Sequence, residues 1–505
     1  MKAEDLYDSI GTMDEELLER SETAGPTERG NVNVRMIAVR VAALVAAAAL
    51  IVGIVLILKF VLGRNKPKNS FDPADDPVLK EFVLAGASQP TDGEEPDRND
   101  YPDTEDGREA YRLDYVAWEK ERSQRLSLIT TYGKEKAFDA VQRFASRSLQ
   151  AVLADRNGQN CVYSPLNIYL MLGLLADSTG GDSQKQLLEL AGSDSVEDLR
   201  ARSKALWNRL YSNSESAKCI LGSSVWLSRQ AEKAYQQKTL ERLAANYYAS
   251  SFIGEMGSDE YNRALQTWVD RMTGGLLQNS VKSLEFDKNT TIALFSTILF
   301  EEQWLIPFDE SKTREETFHA AGGDATVPFM HYEGIGTYYR GENYIAIPRG
   351  LSGSVMWLIL PDEGVSVDEI AAAESLVDLW RGDLSDVTKA RLHLGLPKFD
   401  VKFDANLKGV LQKLGVTDIF EAGKADFSQL FRNGGAHSVS EAVHAARIKV
   451  DEKGVKAAAY TKVSEQRVRV PEYEDLYVTF DRPFLFLVMG DSGAIPLFAG
   501  VVENP

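Results

Sequence analysis

Val41 to Leu58 is an uncharged run, VAALVAAAALIVGIVLIL, and it constrains this chain more than any other feature. Its 18 residues would span roughly 27 Å as a helix at ~1.5 Å per residue. Lys59 can snorkel, and Phe60, Val61 and Leu62 lengthen the span to about 33 Å, the hydrocarbon thickness of a bilayer. A cleaved secretory signal fits poorly. The apolar run is too long, the preceding MKAEDLYDSIGTMDEELLERSE is long and acidic, and only KFVLGRNKPK comes after it, with no small-x-small site. The run predicts an uncleaved transmembrane helix over 36–62 after a short acidic segment, 1–35. Arg29, Arg35 and Arg40 on one side nearly balance Lys59, Arg64, Lys66 and Lys68 on the other, so charge alone leaves orientation open.

The stretch after the run is acidic. From Asp72 to Asp106 there are 12 acidic and 2 basic residues against a whole-chain net charge of −19. Pro73, Pro77, Pro90, Pro96 and Pro102 punctuate it. This composition predicts an extended, self-repelling linker over 63–131, with Ala110 to Leu128 able to form a helix that docks on the C-terminal domain. The D-x-D-x-D-G spacing of a calcium loop is absent. Acidity also argues against nucleic acid as a partner. The five histidines include no pair at metal-ligand spacing, and neither a metal nor a cofactor is expected. Cys161 and Cys219 sit in apolar runs and read as two buried thiols rather than a disulfide.

From Tyr132 the texture becomes that of a folded α+β domain, 132–505. AFDAVQRFASRSLQAVL has helical spacing and LNIYLMLGLLA reads as a buried helix. CILGSSVWLS, TIALFSTILF, SVMWLILP, DLYVTF, PFLFLVM and PLFAGVV read as strands. Gly490-Asp491-Ser492-Gly493 copies the nucleophile loop of chymotrypsin-type proteases, but no histidine stands in the matching context and Ala494 replaces a glycine. It reads as a hairpin turn, and no enzyme activity is expected.

Six blocks together resemble the serpin family of serine-protease inhibitors. They are NCVYSPLNIYLMLGLLADSTGGDSQKQL, STILFEEQWLIPFDESKTREETF with VPFMHYEG, SVMWLILPDEG, LPKFDVKFDANLKGVLQKLGVTDIFEAGKADFSQL, AVHAARIKVDEKGVKAAAYT and RPFLFLVMGDSGAIPLFAGVVENP. They occur in family order and cover nearly all of the domain. The resemblance implies a serpin fold: a large central β-sheet, flanking helices and an exposed reactive-centre loop, here preceded by one transmembrane helix. It implies a suicide substrate. A serine protease cuts the loop, forms an acyl-enzyme, and is trapped when the loop inserts into the sheet.

The hinge of that loop runs from Glu452 through Gly454, Val455, Ala457, Ala458, Ala459 and Tyr460 to Thr461. Read as a strand, Val455, Ala457, Ala459, Thr461 and Val463 share one face, small or apolar throughout. Taken alone, the segment also fits an ordinary half-buried strand; the neighbouring blocks favour insertion. Tyr460 departs from the family's small hinge residues, though it falls on the outward face. Bulky hinge residues occur in non-inhibitory serpins. The resemblance places the cleaved bond at Val468–Arg469, with Arg467 and Val470 as alternatives. Cleavage after valine suits an elastase- or subtilisin-like protease; cleavage after arginine suits a trypsin-like one. In the region that must open, Ser164 and His444 match the family, as does Trp304 at the top of the sheet. Asn167 and Ser296 stand where the family has Ser and Asn. They represent either a buried network with exchanged roles or two independent changes.

The combined expectation is a monomeric protease inhibitor held in a bilayer by one helix. Its N-terminus is cytoplasmic and its inhibitory domain extracellular, at the surface of a Gram-positive bacterium. The alternatives are a non-inhibitory binding module and a membrane sensor of proteolysis.

Overall fold

The computed structural model describes residues 71–505 except 88, 91–94, 155, 157, 215–216, 276–283, 373–375, 382–386, 433–436 and 456–472. The described residues belong to one compact unit, Pro67–Pro505. The expected transmembrane helix lies outside them, as do Ala457, Ala458, Ala459, Tyr460, Thr461, Arg467, Val468, Arg469 and Val470. Among the described residues no helix is long and apolar enough to cross a membrane.

The central sheet is built from β1 (Val83–Ala85), β2 (Ala217–Ser228), β3 (Ala249–Gly254), β4 (Ile292–Gln303), β5 (Phe399–Asn406), β6 (Val439–Asp451) and β7 (Gly454–Val455). Their order across the sheet is β1-β3-β2-β4-β7-β6-β5, with Ser212–Asn213 added to β2. The apolar runs expected as strands become β2, β4, Val355–Pro361, Asp475–Thr479, Phe484–Met489 and Ile495–Val502. The last four belong to a second, nine-stranded sheet. LNIYLMLGLLA lies within helix Pro165–Ser178, buried along its whole length. Such an all-apolar helix has no face to offer water; it packs against the central sheet. Ser164 caps it, accepting the Asn167 N–H at 3.2 Å, and Pro165 fits the first turn, where no N–H is needed.

The acidic stretch is not a free linker from Phe71 on. Leu79 is fully buried, and Phe71, Val78, Phe82 and Val83 pack with it on an aromatic cluster around Trp226, Phe252, Tyr261 and Trp268. Asp76 turns the chain by accepting from the Val78 N–H at 2.9 Å and pairs with Arg271 at 3.4 Å. β1 then joins the edge of the sheet beside β3. Net charge and proline count describe 72–106 as a whole, but within that stretch the apolar residues concentrate before Gly86, where they supply one buried face. Further on, Glu105–Tyr132 forms a 28-residue helix capped by Thr104. It docks on helix Val196–Leu210 through Tyr132, whose hydroxyl donates to Asp198 at 2.9 Å and accepts from Arg202 at 2.7 Å.

Cys161 and Cys219 are free and buried, and burial pushes the Cys161 thiol up to about 12. Gly490–Gly493 forms a single helical turn between Phe484–Met489 and Ile495–Val502. Asp491 there pairs with Lys134 at 2.8 Å and with Arg209, which ties the hairpin down.

Candidate functional site: the seam of the central sheet

β4 and β6 are parallel neighbours, and the relation between them changes along their length. At one end they pair directly, from Val439 opposite Ile292 to Ala445 opposite Thr297. At the other end β7 lies between them. Val455 pairs with Glu302 of β4 and with Val450 of β6; Gly454 pairs with Gln303 and Asp451. β7 is antiparallel to both neighbours. The seam is therefore closed at one end, occupied by two residues of the expected hinge at the other, and direct β4–β6 pairing stops after Thr297 and Ala445.

The closed end collects residues from three distant parts of the chain. Ser164, Asn167, Ser296 and His444 are all buried. His444 Nε2 accepts the Ser164 backbone N–H at 2.9 Å, so the ring proton sits on Nδ1, which has no partner. Burial lowers the His444 pKa to about 4. Asn167 Nδ2 donates to the Thr297 carbonyl at 2.6 Å, clamping the buried helix to β4. Among the described residues the hydroxyl of Ser296 has no hydrogen-bond partner, and neither has Asn167 Oδ1. An Asn167 network is present, but it runs through backbone and not through Ser296. Thr297 carries no signal in the sequence because it contributes a carbonyl, which every residue has.

The open end is held by bonds to main-chain carbonyls and one partly buried ion pair. Trp304 donates from its backbone N–H to the Lys453 carbonyl at 3.0 Å and from Nε1 to the Asp451 carbonyl at 2.9 Å. Phe308 N–H donates to the Glu452 carbonyl at 2.9 Å. The Glu452 carboxylate accepts from Thr313 Oγ1 at 2.7 Å and pairs with Lys398 Nζ at 2.6 Å. Burial works against its ionisation, but Lys398 and Thr313 together hold its pKa below the usual range. Lys398 lies in the LPKFD block, where nothing distinguishes it from its neighbours. Gly454 has φ +153°, and a Cβ there would meet the Glu302 carbonyl oxygen at 2.2 Å, so the hinge needs glycine where it enters the sheet. Val455 is 1% exposed. Beside it, Glu302 is buried and accepts from Gly353 N–H and Ser354 Oγ, both at 3.0 Å. Burial raises its pKa.

The arrangement can accept a strand. A segment continuing β7 between β4 and β6 would exchange one parallel pairing for two antiparallel ones, which are slightly more stable per residue.

A family model described as serpin (serine protease inhibitor) matches residues 139–505. The chain is 29% identical over 372 residues to the plasma serine protease inhibitor of Mus musculus, covering 72% of this chain and 89% of that one. It is 27% identical over 385 residues to plasminogen activator inhibitor 1 of Bos taurus, covering 72% and 91%. Among solved structures it resembles the thermophilic serpin tengpin in the native state, with TM-score 0.66, 26% identity, and coverage of 74% and 95%. Human thyroxine-binding globulin shares the fold at TM-score 0.65 and 22% identity, covering 73% and 98%.

Proposed function

This chain belongs to the serpin family, and we propose that it is an irreversible suicide-substrate inhibitor of serine proteases. The observation that carries this reading is β7: two hinge residues already seated between β4 and β6, antiparallel to both. The proposed sequence begins when the protease serine attacks the carbonyl of Val468. The bond to Arg469 breaks, the new amine of Arg469 takes the proton, and Val468 remains as an ester on the enzyme. The cut releases the loop, and strand β7 extends along the seam. Val455 sets the phase: Ala457, Ala459, Thr461 and Val463 come after it on the inward face, while Tyr460 points outward. The acyl-enzyme travels with the loop and is displaced before water can free it. Either Arg467 or Arg469 as the cleaved residue shifts the target from an elastase- or subtilisin-like protease to a trypsin-like one.

The reading extends to location. The apolar run within 36–62 anchors the chain as a single transmembrane helix. The N-terminus is cytoplasmic and the serpin domain extracellular, where a bait loop meets foreign proteases, in a bacterial envelope. Two observations favour a second reading, a non-inhibitory serpin acting as a binding module or protease sensor. They are the bulk of Tyr460 and a thyroxine-binding protein among the structural relatives.

The unit Pro67–Pro505, mixed with trypsin, pancreatic elastase and subtilisin, gives an SDS-stable complex with at least one of them. The mass of the released C-terminal peptide identifies the cleaved bond. Cleavage by all three without any complex would replace inhibition by the second reading. On intact cells, added protease removes the domain; protection until lysis would overturn the orientation.

A further inference from the structure

Beginning at Leu305, the residue after Trp304, the surface opens into a groove of about 330 Å³. Its apolar wall is unusual for a surface. Leu305 is 59% exposed, Ile306 54% and Ile335 39%, with Pro348 continuing the wall. Its charged lining has a single sign. Arg349, 7% exposed, and Lys389 at the rim both line it, and no carboxylate does. Arg349 has no ion-pair partner among the described residues. Two other buried arginines have them: Arg156 pairs with Glu503 and Asp368, and Arg202 with Asp198.

Arg349 is partly compensated. Its Nη2 donates to the Ile306 carbonyl at 2.8 Å, and its guanidinium lies 4.1 Å from the Tyr332 ring centre and 5.0 Å from that of Phe308. Its Nε has no hydrogen-bond partner among the described residues. Aromatic faces offset only part of the cost of taking a cation out of water. An anion is what the site lacks. Such cavities, apolar with a few convergent polar groups, are where small ligands bind.

We propose that this groove binds a small amphipathic anion. Its carboxylate or sulfonate is held by Arg349 and Lys389, and its apolar body lies on Leu305, Ile306, Ile335 and Pro348. The proposal needs no protease and stands apart from the inhibitory reading.

The test uses the full-length chain in lipid nanodiscs, with 2-naphthoate as the probe and fluorescence titration as the readout. Empty discs provide the background. Naphthoate gives one saturable site on the protein-bearing discs. Arg349→Gln weakens it at least tenfold. Ile335→Asp does the same from an exposed position that leaves the core untouched, so a folding defect cannot mimic the result. 2-Naphthalenemethanol, the same rings without the charge, binds at least tenfold more weakly. The proposal is overturned by an unchanged affinity in both variants, by equal binding of the alcohol, or by no saturable signal above empty discs at millimolar probe.

Discussion

The two ends of the β4–β6 seam are built from the same two strands and held by different physics. At the closed end the strands pair directly and are clamped from below by side chains, His444 on Ser164 and Asn167 on Thr297. At the open end β7 intervenes, and the holding bonds go from Trp304 and Phe308 to hinge carbonyls. The closed end leaves several buried polar atoms without partners, among them Ser296 Oγ and His444 Nδ1. Each such atom costs about 1–3 kcal/mol of desolvation. The closed end is thus locked but imperfectly satisfied, a condition suited to strands that part under the proposed mechanism. The open end has no such lock; there β7 pairs with both strands.

The sharpest way to break this comparison is Val455→Asp. The side chain is buried in the hydrophobic core against the sheet, and a carboxylate there costs roughly several kcal/mol unless paired. Under the proposed mechanism the loop is still cut but cannot seat, so SDS-stable complex falls below detection while cleavage continues. Complex formation at the wild-type level would mean that β7 is not the start of the inserting strand.

Acid separates the two ends next. His444 Nε2 accepts a hydrogen bond, so protonating it sets two donors against each other. Its folded pKa, about 4, lies below the unfolded value of roughly 6.5. Its contribution is therefore complete above pH 6.5 and declines as pH falls toward 4, by about 3 kcal/mol in total. Glu302, at the open end, has the opposite sign. Its raised folded pKa means that protonation is favoured in the folded state, so acid relieves it. Urea midpoints of the uncleaved domain between pH 7 and 4 report both. His444→Gln flattens the acid loss, and Glu302→Gln removes the compensating gain and steepens it. Parallel pH profiles in the two variants would erase the distinction between the ends.

How much of this seam is legible in the chain depends on which atoms carry it. Ser164 and His444, 280 positions apart, are marked by the blocks around them, because their side chains do the work. Asn167 is marked too, but its partner is the backbone of Thr297, and a carbonyl leaves no trace in a sequence. The pairing of Lys398 with Glu452 is hidden for a related reason: each lies in a recognisable block, yet nothing in either block states that the two meet. The strands and the buried helix are legible because their apolar residues are contiguous. Phe71 to Ala85 is not, because the acidic average of the whole stretch 72–106 conceals the apolar residues that dock it on Trp226 and Phe252.

The smallest of these effects isolates the open end. Lys398→Met removes the cation that neutralises buried Glu452 and leaves Thr313 Oγ1 as its side-chain donor. Lys398 is about a third exposed, so solvent screens part of the pair, and the loss is about 1–2 kcal/mol rather than the 3–5 of a fully buried one. It falls where the hinge carbonyls of Asp451, Glu452 and Lys453 are held. Hydrogen exchange should therefore quicken about tenfold at the Gly454 and Val455 amides and stay unchanged at Ser164 and Asn167. That contrast requires the ends to open independently. Equal acceleration at both would show that the seam opens as one unit, and that the closed end is a continuation of the open one rather than its lock.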